Sequence, residues 1–138
     1  MENIGGTVDQ AWEMDGFRRH VQHWKSDVRF MGEEIHFIRE LLNSDIFDPV
    51  TLNLFEKLQD YLGRSEEFNL RNTRLVQLVS EYGDRMASRM ETKDHVLRGD
   101  YLREHGEVER EVLKHMDDFR ELKMEVFNYV TGNLKKRK

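Results

Sequence analysis

Apolar residues recur along this chain at alternating steps of four and three. In the first third the stepping picks out Phe17, Val21, Trp24, Val28, Met31, Ile35, Ile38 and Leu42, with no polar interruption. In the middle it gives Leu54, Leu58, Tyr61, Ser65, Phe68, Asn72, Leu75, Val79, Tyr82 and Met86, where only Ser65 and Asn72 are polar. The last third gives Tyr101, His105, Val108, Val112, His115, Phe119, Leu122, Val126 and Tyr129. Such a period, about 3.5 residues and sustained over several heptads, predicts long helices packed at a shallow angle, whereas strands need alternation with period two. The expected fold is therefore all-α: an antiparallel bundle of three long helices with coiled-coil-like packing, forming one domain.

Turn signals are sparse, and they set the boundaries. The clearest is Asn43-Ser44-Asp45-Ile46-Phe47-Asp48-Pro49, which contains the only proline. Asp48 suits a helix cap and Pro49 the first helical position, where its missing N–H needs no partner. Thr92 or Asp94 can cap a third helix, with Gly99-Asp100 a competing start. Thr7 with Gln10 resembles a capping box at the front. These signals place helices over about 8–43, 49–91 and 95–134, followed by a basic tail at 135–138. Gly32, Gly63, Gly83 and Gly106 fall inside these helices, each costing about 1 kcal/mol relative to Ala in an exposed helix interior, so tertiary packing has to outweigh them.

A second row on the first helix, His20, His23, Asp27, Phe30, Glu34, Phe37 and Leu41, widens its apolar arc beyond a two-stranded seam. That helix is expected to touch two others. Phe30, Phe37 and Leu41 then form a candidate interaction surface, covered either by the third helix or by a second copy of the chain in a homodimer.

Composition narrows the classes of function. The 138 residues carry 22 Lys plus Arg against 27 Asp plus Glu, a formal charge of −5, with 38% hydrophobic and 36% charged residues. This mildly acidic balance holds enough apolar material for a core and leaves much of the chain for a solvated surface. With no cysteine, disulfides and Cys-ligated metal are excluded. A mean hydropathy of −0.79 without a long apolar run argues against a membrane span. Met1 to Gln10 has neither the basic start nor the apolar stretch of a signal peptide, so a cytoplasmic location is expected. Arg64, Arg71, Arg74, Arg85 and Arg89 make a loose basic line on the second helix. Carboxylates interleave with them, and no recognition motif accompanies them, so neither nucleic acid nor membrane is the expected partner.

The polar residues within the seams carry the candidate chemistry. A first turn centred near residue 46 and a second near 93 set His20 across from Asn72, and Asn72 across from about residue 114, beside His115. The same mirror brings His105 close to Tyr82. His20, Asn72 and His115 are thus expected to share one level as a polar layer, which disfavours slipped registers because misalignment buries unpartnered polar groups. A sharper alternative makes that level a metal site. His20-x-x-His23 and Glu111-x-x-x-His115 each put two ligand types on one helical face, and three imidazoles with a carboxylate suit zinc, iron or manganese. Glu33-x-x-His36 has the spacing used by di-iron carboxylate bundles, but it lies opposite the seam and has no second copy. A Gly-x-Ser-x-Gly, a phosphate-binding Gly-rich loop and a Cys nucleophile are all missing, so no catalytic residue is assigned and no enzyme is expected. The sequence supports a non-catalytic bundle acting through protein–protein association, as a scaffold or adaptor, with the metal-binding bundle as its alternative.

Overall fold

The computed structural model describes residues 2–92 and 98–136, with side chains described over 15–89 and 100–136. Three helices follow one another: α1 (Glu2–Leu42), α2 (Leu54–Thr92) and α3 (Arg98–Gly132). At 1.5 Å per residue, α2 alone is roughly 58 Å long. The contacts fix the directions. Arg64, Arg71 and Arg85 of α2 meet Glu125, Asp118 and Glu104 of α3, so these two run antiparallel. His20 and Glu34 of α1 meet His105 and Lys123 of α3, so these two run parallel.

All eight seam residues of α1 are buried, and the α2 seam from Tyr61 to Met86 and the α3 seam from His105 to Val126 join them, Phe68 alone among these being half-buried. The core has two parts. Phe17, Val21, Trp24, Val28, Leu75, Val79, Tyr82, Met86, Val108 and Val112 fill one half of the rod. Met31, Ile35, Ile38, Leu42, Phe47, Tyr61, Phe119, Leu122, Val126 and Val130 fill the other.

Two of the predicted boundaries shift. α1 begins at Glu2, not near Val8, because Gly5 and Gly6 weaken a helix without breaking it and no proline intervenes; Thr7 falls within the helix and not at its start. α2 begins at Leu54 rather than at residue 49. Asp48 instead caps a turn: its carboxylate accepts from the Val50 amide at 3.1 Å and its carbonyl from the Thr51 amide at 3.1 Å. Pro49 takes the second place of that turn, which suits its fixed φ as well as a helix start does. Asn53 then adopts a φ of 56°, a left-handed value that holds the helix off until Leu54. α3 is described from Arg98; of the two cap candidates Thr92 is the last residue of α2, while Asp94, like the tail residues Arg137 and Lys138, lies outside the described residues.

The connection between α1 and α2 is clasped by the segment after α3. The Asp48 amide donates to the Asn133 carbonyl at 2.9 Å, and the Lys135 amide to the Ile46 carbonyl at 2.8 Å. Phe47 and Leu134 thereby form a short antiparallel bridge, and Phe47 packs inward in the lower core, the half that holds Ile35 and Leu122. The ammonium of Lys135 adds an ion pair to Asp45 at 2.8 Å.

Close approach of α1 and α2 explains two of the glycines. A Cβ at Gly83 meets Val21 Cγ1 at 3.0 Å, and one at Gly32 meets Asn72 Nδ2 at 3.1 Å, while nothing lies within 4 Å of one at Gly63. Val21 is buried and β-branched, with little freedom to yield. Gly83→Ala is therefore expected to destabilise the bundle by about 1–2 kcal/mol despite the better helix propensity of Ala. Gly63→Ala should stabilise it by up to about 1 kcal/mol. Urea unfolding midpoints for the two variants check the opposite signs.

Candidate functional site

Polar side chains enter the seam at two levels. At the lower level Asn72, on α2, joins all three helices. Its amide Nδ2 donates to the Val28 carbonyl of α1 at 3.1 Å, and its Oδ1 lies 3.1 Å from His115 Nε2 of α3. Since Oδ1 can only accept, His115 carries its proton on Nε2 and donates it. The remaining ring nitrogen, Nδ1, is buried without a hydrogen-bond partner. Phe68 lies against the ring, with centroids 5.8 Å apart. This layer falls between the two halves of the core.

The upper level is built on His105 of α3, also buried. Its Nδ1 is 2.8 Å from the Tyr82 hydroxyl of α2, and its Nε2 is 2.9 Å from Nδ1 of His20 on α1. Aromatic rings enclose it: Phe17 stacks at 4.2 Å and Trp24 stands at 4.8 Å between centroids. The arrangement that leaves no buried proton unbonded has the Tyr82 hydroxyl donating to Nδ1, and Nε2–H donating to His20. One turn further along α3, Glu109 brings a carboxylate oxygen to the same place. The ligand atoms of His20, His105 and Glu109 all lie within 4.8 Å of one another. His20 is exposed and Glu109 half-buried, so this side of the cluster is open to solvent.

The structure thus divides the sequence-predicted residues between the two levels. Asn72 and His115 share a layer, as the second turn's register requires. His20 is not in it: the Asn72 amide meets Val28, eight positions further along α1. The expected quartet of His20, His23, Glu111 and His115 is likewise not brought together. His20 is bonded to His105, and His115 lies ten residues beyond His105, about 15 Å along α3. His23 and Glu111 are both exposed. The cause is the first turn, which is longer than the sequence signals imply and displaces the α1 register. His105 and Tyr82 do meet, as the mirror arithmetic expects. Glu109 lies outside the seam pattern, although its spacing of four from His105 is the signal that finds it. Glu33 and His36 are exposed, and His36 pairs with Glu40 at 3.0 Å.

Electrostatics of the two histidines follow from burial. Desolvation pushes His105 down to about 4, with His20 adding to the effect and Glu109 opposing it. Desolvation also pushes His115 down to about 4; the Arg71 guanidinium adds to this and Asp118 opposes it. A proton on Nδ1 of His115 would, in addition, be a buried donor with no acceptor.

On the surface, the α2 arginines face carboxylates of α3. Arg64 reaches Glu125 at 2.7 Å, Arg71 reaches Asp118 at 3.1 Å, and Arg85 and Arg89 share Glu104 at 2.9 Å each. These pairs bridge α2 and α3. Across α1 and α2, Arg39 pairs with Glu66.

The third feature is apolar. Phe30 and Phe37 remain 60% and 55% exposed, so α3 does not cover them. They line a groove of about 190 Å³ between α1 and α3, with Ile38 as its floor, Phe127 of α3 across from them and the Glu34–Lys123 ion pair at its rim. Leu41 is half-buried and packs on the lower core. Phe127, 38% exposed, lies off the α3 seam, which is why the seam reading missed it. Val50, Leu52 and Phe55 are a further exposed apolar group, at the first turn. Among the described residues, no helix is long and apolar enough to cross a membrane.

No protein-family model, curated protein or solved structure matches this chain.

Protonation of His115 gives a signed pH effect. The neutral form is favoured in the fold, against an ordinary value of 6.5, so its contribution to stability is fully present above pH 6.5. It is lost progressively as pH falls towards about 4 and changes no further below that. In His115→Gln, whose amide can still donate to Asn72, the stability lost between pH 7 and pH 4 should shrink by about 3 kcal/mol relative to the wild type. Urea unfolding of both proteins across that range measures the difference.

Proposed function

We propose that this protein works without catalysis, as a scaffold or adaptor that binds another protein in the groove between α1 and α3. The observation that carries this reading is the exposure of Phe30 and Phe37 beside Phe127 around one concavity. Three large aromatic side chains gathered on a charged surface lose hydrophobic free energy unless something covers them, at about 25 cal/mol per Å² of apolar area. Phe30 and Phe37 are one heptad apart, roughly 10.5 Å along α1, and α3 runs parallel beside them. A groove of this form fits an amphipathic helix laid along the rod as a fourth member, with its own apolar residues between the phenylalanines. Glu33, Glu34 and Lys123 at the rim supply charges that orient it. The same groove on a second copy is the self-associating form of this reading.

The arginine line on α2 adds support, because facing carboxylates draw its charge away from a nucleic-acid backbone. A cytoplasmic setting is consistent with the acidic, cysteine-free composition.

Affinity capture from native lysate tests the proposal, with the wild type compared with Phe30→Ser/Phe37→Ser and sedimentation of both alongside. The double variant should keep its thermal midpoint and lose a specific partner, or lose a dimer present in the wild type. Identical capture profiles together with a monomer in both proteins would overturn it.

A further inference from the structure

We propose that His20, His105 and Glu109 form a binding site for a divalent transition metal, with zinc the best fit, a function separate from protein docking in the groove. Two imidazole nitrogens from different helices already face each other at 2.9 Å, and a carboxylate oxygen stands within 4.8 Å of both. In a tetrahedral zinc site, with Zn–N near 2.0–2.1 Å, neighbouring ligand atoms are roughly 3.3 Å apart. Opening the histidine pair by a few tenths of an ångström, and swinging the Glu109 carboxylate inward by up to about 1.5 Å, therefore brings the three ligand atoms to that spacing. His20 is exposed and can make that movement, while His105 is held by the rings of Phe17 and Trp24.

The donor set also fits chemically. Two neutral imidazoles and one carboxylate are the ligands of open zinc sites, in which water takes the fourth position. Desolvation keeps His105 neutral at physiological pH, as a metal ligand must be. In the metal-free protein Nε2–H of His105 bridges to His20. With the ion bound, His105 adopts its other neutral tautomer, leaving the Nε2 lone pair for the metal and placing its proton on Nδ1, 2.8 Å from the Tyr82 oxygen. Tyr82 is then the outer partner that fixes the ring, as metal-bound histidines generally require. Glu109 adds negative charge at the ion and comes from the same helix face as His105, so the ion joins α1 to α3 at a level where Tyr82 already joins α2 to α3.

Titration calorimetry with Zn²⁺ tests the site, using the full chain without added histidines and stripped of metal beforehand. One equivalent should bind with micromolar or tighter affinity. His20→Gln and Glu109→Gln, both at solvent-accessible positions, should each weaken it by at least about tenfold. His23→Gln and His36→Gln should leave it unchanged. Unfolding curves of every variant in the absence of metal separate lost binding from lost folding, and the Zn²⁺-induced rise in thermal midpoint of the wild type gives a second readout. Absence of saturable binding at millimolar Zn²⁺ would overturn the proposal, as would binding that survives His20→Gln or is abolished by His23→Gln. None of these outcomes bears on whether Phe30 and Phe37 hold a partner.

Discussion

The register of the whole bundle depends on the side-chain amide of Asn72. One end of it donates to the backbone of α1 and the other accepts from a ring on α3. A heptad slip of α2 or α3 would leave an amide, an imidazole or both buried without a partner, at about 1–3 kcal/mol for each unsatisfied group, and a slip of α1 would bring a side chain in place of Gly32, where a Cβ already meets the Asn72 amide at 3.1 Å. Apolar seams alone are nearly indifferent to such a slip, because one valine replaces another. The core is divided at this level into two apolar halves, each of which is then free to pack by shape. Stability is conceded at the layer and uniqueness is gained from it.

The long helices and their buried faces were legible in the sequence, since burial follows periodicity directly and the stripe from Phe17 to Leu42 is unbroken. So was the α2–α3 register, which placed Asn72 beside His115 and Tyr82 near His105. The α1 register was not. Asp48-Pro49 is equally good chemistry for the first turn of a helix and for a β-turn, and the left-handed Asn53 has no distinctive local signal. An error there moves every pairing of α1 by the same amount. His20 consequently appeared to belong with Asn72, when it belongs with His105. A histidine cluster assembled from three helices is thus less readable than the helices themselves, because it depends on the lengths of the connections between them.

The surface sorts into contrasting sides. Between α2 and α3, guanidinium groups face carboxylates along much of the rod. Each exposed pair contributes only about 0–1 kcal/mol, but the series matches charges at a single antiparallel alignment and so agrees with the Asn72 layer. Between α1 and α3, Glu34 pairs with Lys123, and beside that pair the aromatic rings stand open. The side sealed by charge and the side left apolar are thus different seams of the same three helices.

The clasp between Phe47 and Leu134 bears on the kinetics of the fold. It joins points separated by nearly all of α2 and α3, yet closure entropy grows only slowly with chain length, and helix docking has already brought the two strands together. Backbone bonds that close only onto helices already docked have no part in the rate-limiting ensemble of folding. An interaction of that kind leaves the speed of assembly almost untouched and slows disassembly instead. A clasp closing in that order would let a few residues beyond the last helix lengthen the lifetime of the native state.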